Sequence, residues 1–212
     1  MKIFGVHLAF AVAVFLQFLP IGIGAAEDNR APGTIRMAER LEQVAKTVNP
    51  LNVRFFAAQQ VEIYRQMFAE KPELSRDPAM RFQLADSLLN AGRNLEALAE
   101  FESIERLVAE SGQPLAGVNK LNVRLNEALC HLREAERVNC LTNHNADSCL
   151  LPLRGGGIHK WADPSRRSIG VLTNVLGEFP DSLAARWLLN VACMTVGDYP
   201  CLLYTSPSPR DS

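Results

Sequence analysis

The feature that most constrains this chain is a spacing that recurs from Ala79 onward. Leu84, Ala85, Leu88, Gly92, Ala97 and Phe101 fall where a pair of antiparallel helices needs them. The leucines line one helix, Gly92 sits in the turn, and Ala97 is the small residue where the helices cross. Gly92 takes a positive φ at little cost there. A larger side chain at position 97 pushes the two helices apart. A second unit starts near Leu121, with Leu125 and Leu129 at the core positions of its first helix. Its second helix is delayed by about 25 residues, after which Ser168, Leu172, Val175 and Pro180 follow at the expected spacing. Pro164 is placed as that helix's first-turn proline. A third unit follows with Leu183, Leu189, Cys193 and Gly197. No stretch alternates apolar and polar residues between hairpin turns, so strands are not expected.

The pattern resembles the tetratricopeptide repeat; its periodicity also fits a generic antiparallel helical bundle, and the small-residue and glycine positions favour the repeat. The expected fold is all-α, a tetratricopeptide-like antiparallel helix-pair solenoid over residues 27–200 with one long inserted loop over residues 138–163. Ahead of the repeats, Thr34 is placed as the N-cap of a helix whose apolar face carries Met37, Leu41, Val44, Ala45 and Val48. Asn49-Pro50 ends it. A second helix is expected from Leu51 to Glu70, stopped by Pro72.

Both ends of the chain stand apart from the fold. Lys2 precedes an uncharged, mostly apolar stretch that ends in Gly24-Ala25-Ala26 before Glu27. This is the arrangement of a cleaved secretory signal over residues 1–26, which predicts export to the periplasm, the extracellular space or the cell surface. Cleavage leaves no membrane segment; an uncleaved anchor is the rival reading. At the other end, residues 201–212 break the helical pattern abruptly. One back-translation of their start, TGT CTC TTA TAC ACA TCT, looks like read-through of a transposase-type sequencing adapter. The expectation is that the natural sequence leaves this reading after Pro200, that Cys201 is not native, and that the chain is the front part of a longer protein.

Charge excludes one large class of partner. With 22 Lys and Arg against 23 Asp and Glu, the formal charge is −1, and no basic excess draws the chain to nucleic acid. Hydrophobic residues at 48% fit a packed core.

The insertion carries most of the reactive side chains: Cys140, His144, Cys149, Arg154 and His159. Long insertions between helices are often functional. Three readings stay open. Cys140 and Cys149 form a disulfide, worth roughly 2–3 kcal/mol by loop entropy. Alternatively Cys140, His144, Cys149 and His159 hold zinc or copper, although their spacing matches no standard motif. Or the thiols are free and the histidines ordinary. Gly155-Gly156-Gly157 is not a phosphate loop, since no Lys-Ser/Thr follows and no strand precedes. It suits a tight path or a close backbone approach. Arg154 and His159 flank it, either as an anion or carboxylate site or as solvated groups. His131 reads as structural, Trp187 as core, Trp161 as an anchor packed under the insertion, and Arg166-Arg167 as a solvated helix start. No set of residues supports a catalytic triad, an acid–base pair or a dinucleotide site, so no enzyme activity and no cofactor are expected here.

Residues 80–101, 139–159 and 186–200 also resemble the front region of exported bacterial proteins with tetratricopeptide-like helices, an FG-GAP/VCBS-type β-propeller and an ASPIC/UnbV domain. The insertion is the most specific part of the likeness, which covers most of residues 36–200. The resemblance implies that a calcium-binding propeller used in recognition or adhesion follows this segment. Any calcium belongs to that absent part. The implied partner is another protein or the chain's own propeller.

Overall fold

The computed structural model describes residues 30–112 and 120–201. The expected signal peptide, residues 113–119 and residues 202–212 lie outside the described residues. The chain divides into two compact units, residues 1–47 and 48–212.

The first unit contributes helix α1 (Pro32–Thr47). The Ala31 carbonyl accepts from the Thr34 and Ile35 N–H groups at 2.8 and 3.1 Å. Thr34 is therefore inside the first turn, not its cap. Pro32 opens the helix because the missing N–H is one that needs no partner there. Met37, Leu41 and Val44 share a helical stripe as expected, but their side chains are exposed.

In the second unit the expected helix from Leu51 begins later, as α2 (Ala57–Glu70). Gln60 explains the delay. Its side-chain amide donates to the carbonyls of Pro50 at 2.8 Å and Val53 at 3.0 Å, which holds that stretch in two short 3-10 turns. The following helices are α3 (Pro78–Asn90), α4 (Asn94–Ser111), α5 (Lys120–Asn143), α6 (Asp163–Glu178) and α7 (Leu183–Val196). Each packs on the next from α2 to α7, and α5 also touches α3 and α7. Among the described residues there is no strand, and no helix is long and apolar enough to cross a membrane.

Two apolar clusters meet on α5. Val123 and Cys130 join Leu84, Ala85, Leu88, Ala97, Phe101 and Ile104. Ala128 and Leu132 join Leu172, Val175, Leu176, Leu189 and Cys193. Half-buried Leu129 packs on the first cluster and Leu125 on the second. Phe82 meets Phe101 edge-on, with ring centroids 5.5 Å apart, and Ala97 is fully buried in the same cluster. Cys201 is buried in the second cluster beside Cys193. Burial, with the Cys201 thiol next, pushes the Cys193 thiol up to about 12.

Helices α3 and α7 repeat each other at an offset of 105 residues, seen at four levels. Asp77 caps α3 by accepting from Ala79 N–H, and Ser182 caps α7 by accepting from Ala185 N–H. Arg81 Nε donates to the Ser75 carbonyl, and Arg186 Nε to the Pro180 carbonyl. Leu84 and Leu189 are buried, as are Leu88 and Cys193. Both helices end in a left-handed glycine, Gly92 at φ +76° and Gly197 at φ +84°. The closing bonds correspond: Arg93 N–H to Leu88 O and Asp198 N–H to Cys193 O, each 2.9 Å. This is the paired carbonyl closure that a C-terminal glycine permits.

One expected core residue is not buried. Trp187 on α7 is 65% exposed. It occupies the place of Phe82 on α3, whose ring is covered by the helix that follows, and among the described residues no helix follows α7.

Candidate functional site: the clamped insertion

Helix α5 continues through residue 143, so the non-helical insertion is residues 144–162, shorter than expected. No glycine or proline interrupts residues 138–143. Thr142 Oγ donates to the Val138 carbonyl at 2.8 Å, four residues back. Cys140 therefore stands on a helix rather than in the loop.

The loop is tied down at three places. Asn139 is buried near the end of α5. Its amide donates to the Trp161 carbonyl at 3.1 Å and to the Ala135 carbonyl at 2.8 Å, while its Oδ1 accepts the Trp161 N–H at 3.0 Å. One side chain thus satisfies both backbone groups of Trp161, which would otherwise need water or another partner. It is this backbone that anchors the loop; the Trp161 side chain is 60% exposed, which corrects the expectation of an indole packed beneath it.

The second tie closes the loop on itself. Asn145 Oδ1 accepts the Asp147 N–H at 2.9 Å, an Asx turn. Its amide donates to the Gly156 carbonyl at 2.7 Å and to the Asn143 carbonyl at 2.9 Å. Asp147 Oδ2 accepts the Gly156 N–H at 3.2 Å. Gly157 shows why glycines are needed: a Cβ there would stand 2.5 Å from the Asp147 carbonyl oxygen. The run Gly155-Gly156-Gly157 makes the close backbone approach that its composition suggested.

The third tie joins the loop to α6 and α7. The His159 N–H donates to the Thr195 carbonyl at 2.8 Å, and its Nδ1 lies 3.2 Å from the Ser165 hydroxyl. Burial holds the His159 pKa below the usual imidazole value, against the opposing pull of Glu136. His159 works as a bracket between the loop and these two helices.

These ties leave a small cleft of about 50 Å³ at the end of α5, lined by Glu136, Cys140, His144, Cys149, Ile158 and His159 among others. The four cysteine and histidine residues singled out from the sequence thus border one cleft. His144 Nε2 lies 3.8 Å from Cys149 Sγ. Both Cys140 and Cys149 are free and exposed. Among the described residues no group of three or more His, Cys, Asp or Glu side chains is arranged to hold a metal ion. Arg154 is exposed and does not border the cleft. Outward from the loop stand Leu150 and Leu151, 64% and 68% exposed.

A titratable group that the sequence did not single out lies deeper. Glu127 on α5 is 3% exposed. Its Oε2 accepts from Arg124 at 2.7 Å, and its Oε1 has no hydrogen-bond partner. Burial first, then the charge of Glu105, push its carboxyl up to about 7; Arg124 pulls the other way. A glutamate inside a helix carries no sequence mark of burial, so nothing local could have found it.

No known family, curated protein or solved structure matches this chain. Function has to be argued from the site itself.

Proposed function

We propose that the chain is an exported, tetratricopeptide-like interaction module, the front part of a longer polypeptide, and that it holds a protein partner or its own following domain. The observation that carries this reading is the clamped insertion. Asn139, Asn145 and Gly157 fix its backbone, and the same backbone turns Leu150, Leu151 and the Trp161 ring toward solvent. Ordering is thereby settled before any partner arrives, which lowers the cost of association. Apolar side chains on a rigid frame suit a protein surface better than a small polar ligand. In an oxidising compartment a Cys140–Cys149 cross-link would lock the loop to α5 further.

The test uses the protein in its source cell. A photo-crosslinking residue at Leu151 should give a discrete protein adduct, while one at Phe55, fully exposed but remote in sequence from the insertion, should not. The mature chain should begin at Glu27 and be found in an exported fraction. An uncleaved cytoplasmic chain refutes export; equal labelling at both sites refutes the loop's role.

A second reading rests on the approach of His144 to Cys149 with Cys140 beside the same cleft. Thiolate and imidazole together suit a soft cation such as Cu(I) or zinc. That reading requires the side chains to converge further. It predicts one metal ion per purified chain, lost in Cys140→Ser and Cys149→Ser.

A further inference from the structure

The turn over residues 145–148 brings a thiol and an imidazole face to face. The Asn145 N–H donates to Ser148 Oγ at 3.0 Å, and the Ser148 N–H donates back to the Asn145 carbonyl at 3.1 Å. His144 and Cys149 flank this closed turn, with His144 Nε2 standing 3.8 Å from Cys149 Sγ. Both residues are exposed, so a large reactant can reach them. A second thiol, Cys140, comes from the last turn of α5 and borders the same cleft of about 50 Å³. That volume holds only a few water molecules, so groups on its walls face one another across a short span. Neither thiol is cross-linked. Cys130 is the contrast: it is buried, and burial first, then the charge of Glu127, push its thiol up to about 12.

We propose that Cys149, His144 and Cys140 form a thiol–disulfide exchange site whose substrate is a disulfide of a partner polypeptide. The proposal rests on the insertion being a protein-binding surface and adds a reaction to it. His144 Nε2 takes the proton of the Cys149 thiol. The thiolate attacks one sulfur of the partner's disulfide. A disulfide forms between Cys149 and the partner, the partner's own S–S bond breaks, and the departing thiolate takes the proton from His144. Cys140 then gives its proton to water and attacks Cys149 Sγ. The Cys140–Cys149 bond forms, and the partner's remaining sulfur leaves and takes up a proton. Two electrons and two protons pass from the cysteine pair to the partner, which ends as two thiols. The exchange is reversible, and the two reduction potentials set its direction. Cys149 is the attacking sulfur because the imidazole stands beside it. Cys140 resolves, because it borders the cleft with no such contact among the described residues. The substrate class follows from what adjoins the attacking sulfur. Leu150 and Leu151 come directly after Cys149 and are 64% and 68% exposed, which gives apolar residues beside a polypeptide disulfide a surface to pack on. A small polar disulfide gains nothing there.

The test mixes the reduced full chain with a disulfide-linked pair of leucine-rich peptides, each with a single cysteine. The reaction is quenched with acid and read by mass spectrometry. Wild type should gain a Cys140–Cys149 bond as both peptides appear as thiols. Cys140→Ser should stop at an adduct of one chain and one peptide, joined at Cys149. Cys149→Ser should give less adduct by about tenfold or more. His144→Gln should slow adduct formation by about tenfold or more at pH 7, and by less than about twofold at pH 9.5, where solvent ionises an ordinary thiol. Glu136 and His159, the other histidine and acid on the cleft, are common to both proteins. Equal adducts from the two cysteine variants mark ordinary surface thiols and overturn the site. Equal slowing by His144→Gln at both pH values, or none at pH 7, overturns it as well. Reaction with oxidised glutathione but not with the peptides moves the source to small-molecule disulfides and overturns the polypeptide substrate. The photo-crosslinker at Leu151 reports on the interaction surface without either thiol, so failure of the exchange and failure of the surface are told apart.

Discussion

Replacing Glu127 by Gln should make the protein more stable at alkaline pH and remove part of its pH dependence. The carboxyl has its pKa raised from 4.5 to about 7 in the folded chain. A raised acid binds its proton more tightly in the folded state. The stability it contributes is fully present below about pH 4.5 and is lost as pH rises through about 7. That interval corresponds to about 3 kcal/mol at ~1.4 kcal/mol per pH unit, as a ceiling. Gln keeps the shape and never ionises. Arg124 keeps a carboxylate, because Glu105 remains 3.2 Å away. At pH 8 Glu127→Gln should therefore gain stability, by up to about 3 kcal/mol, and at pH 4.5 the two proteins should differ little. His131 and His159 act in the opposite sense. Burial lowers both, so their contribution grows as pH rises through 6.5. The absolute slope of the wild type mixes these effects, while the difference between wild type and variant isolates Glu127. The assay is urea unfolding followed by circular dichroism at several values between pH 4.5 and 8. A difference that stays constant across the range would refute the reasoning.

Three other substitutions test the architecture. Gly157→Ala places a Cβ against the Asp147 carbonyl and should cost about 1–3 kcal/mol; limited proteolysis should then cut within residues 144–158 sooner. Gly92→Val forces a β-branched residue to φ +76° and should cost about 1–3 kcal/mol, and an unchanged melting temperature counts against the turn. Asn139→Ala leaves the Trp161 N–H and carbonyl without their partner, at about 1–3 kcal/mol; equal stability would mean that water replaces the clamp.

What the sequence revealed was mostly local. Gly92 and Gly197 were legible because a left-handed helix end leaves few alternatives to glycine, and Pro164 because its place in a first turn is fixed by its own ring. The glycine run was legible as a close approach, but the partner was not, since Asp147 lies ten residues earlier. The end of α5 lies later than its composition suggests because Asn139, Thr142 and Asn143 are residue types common in loops, while the backbone there simply continues its helix. Trp187 was misread for a different reason. Its spacing placed it on α7, but burial depends on a neighbour, and among the described residues no helix follows α7 to cover it. The Asn139–Trp161 clamp joins residues 22 apart, and Glu127 is buried on a helix that packs against both α4 and α6. Neither leaves a trace in spacing.

The account turns on the insertion being a built part of the fold rather than a free loop. Amide hydrogen exchange resolved by residue tests this most directly. The N–H groups of Gly156, His159 and Trp161 each donate to a named oxygen, on Asp147, Thr195 and Asn139. They should exchange on the timescale of the α5 and α6 amides. Exchange of all three as fast as in an unstructured peptide would contradict the clamp, and with it the surface on which the proposed function depends.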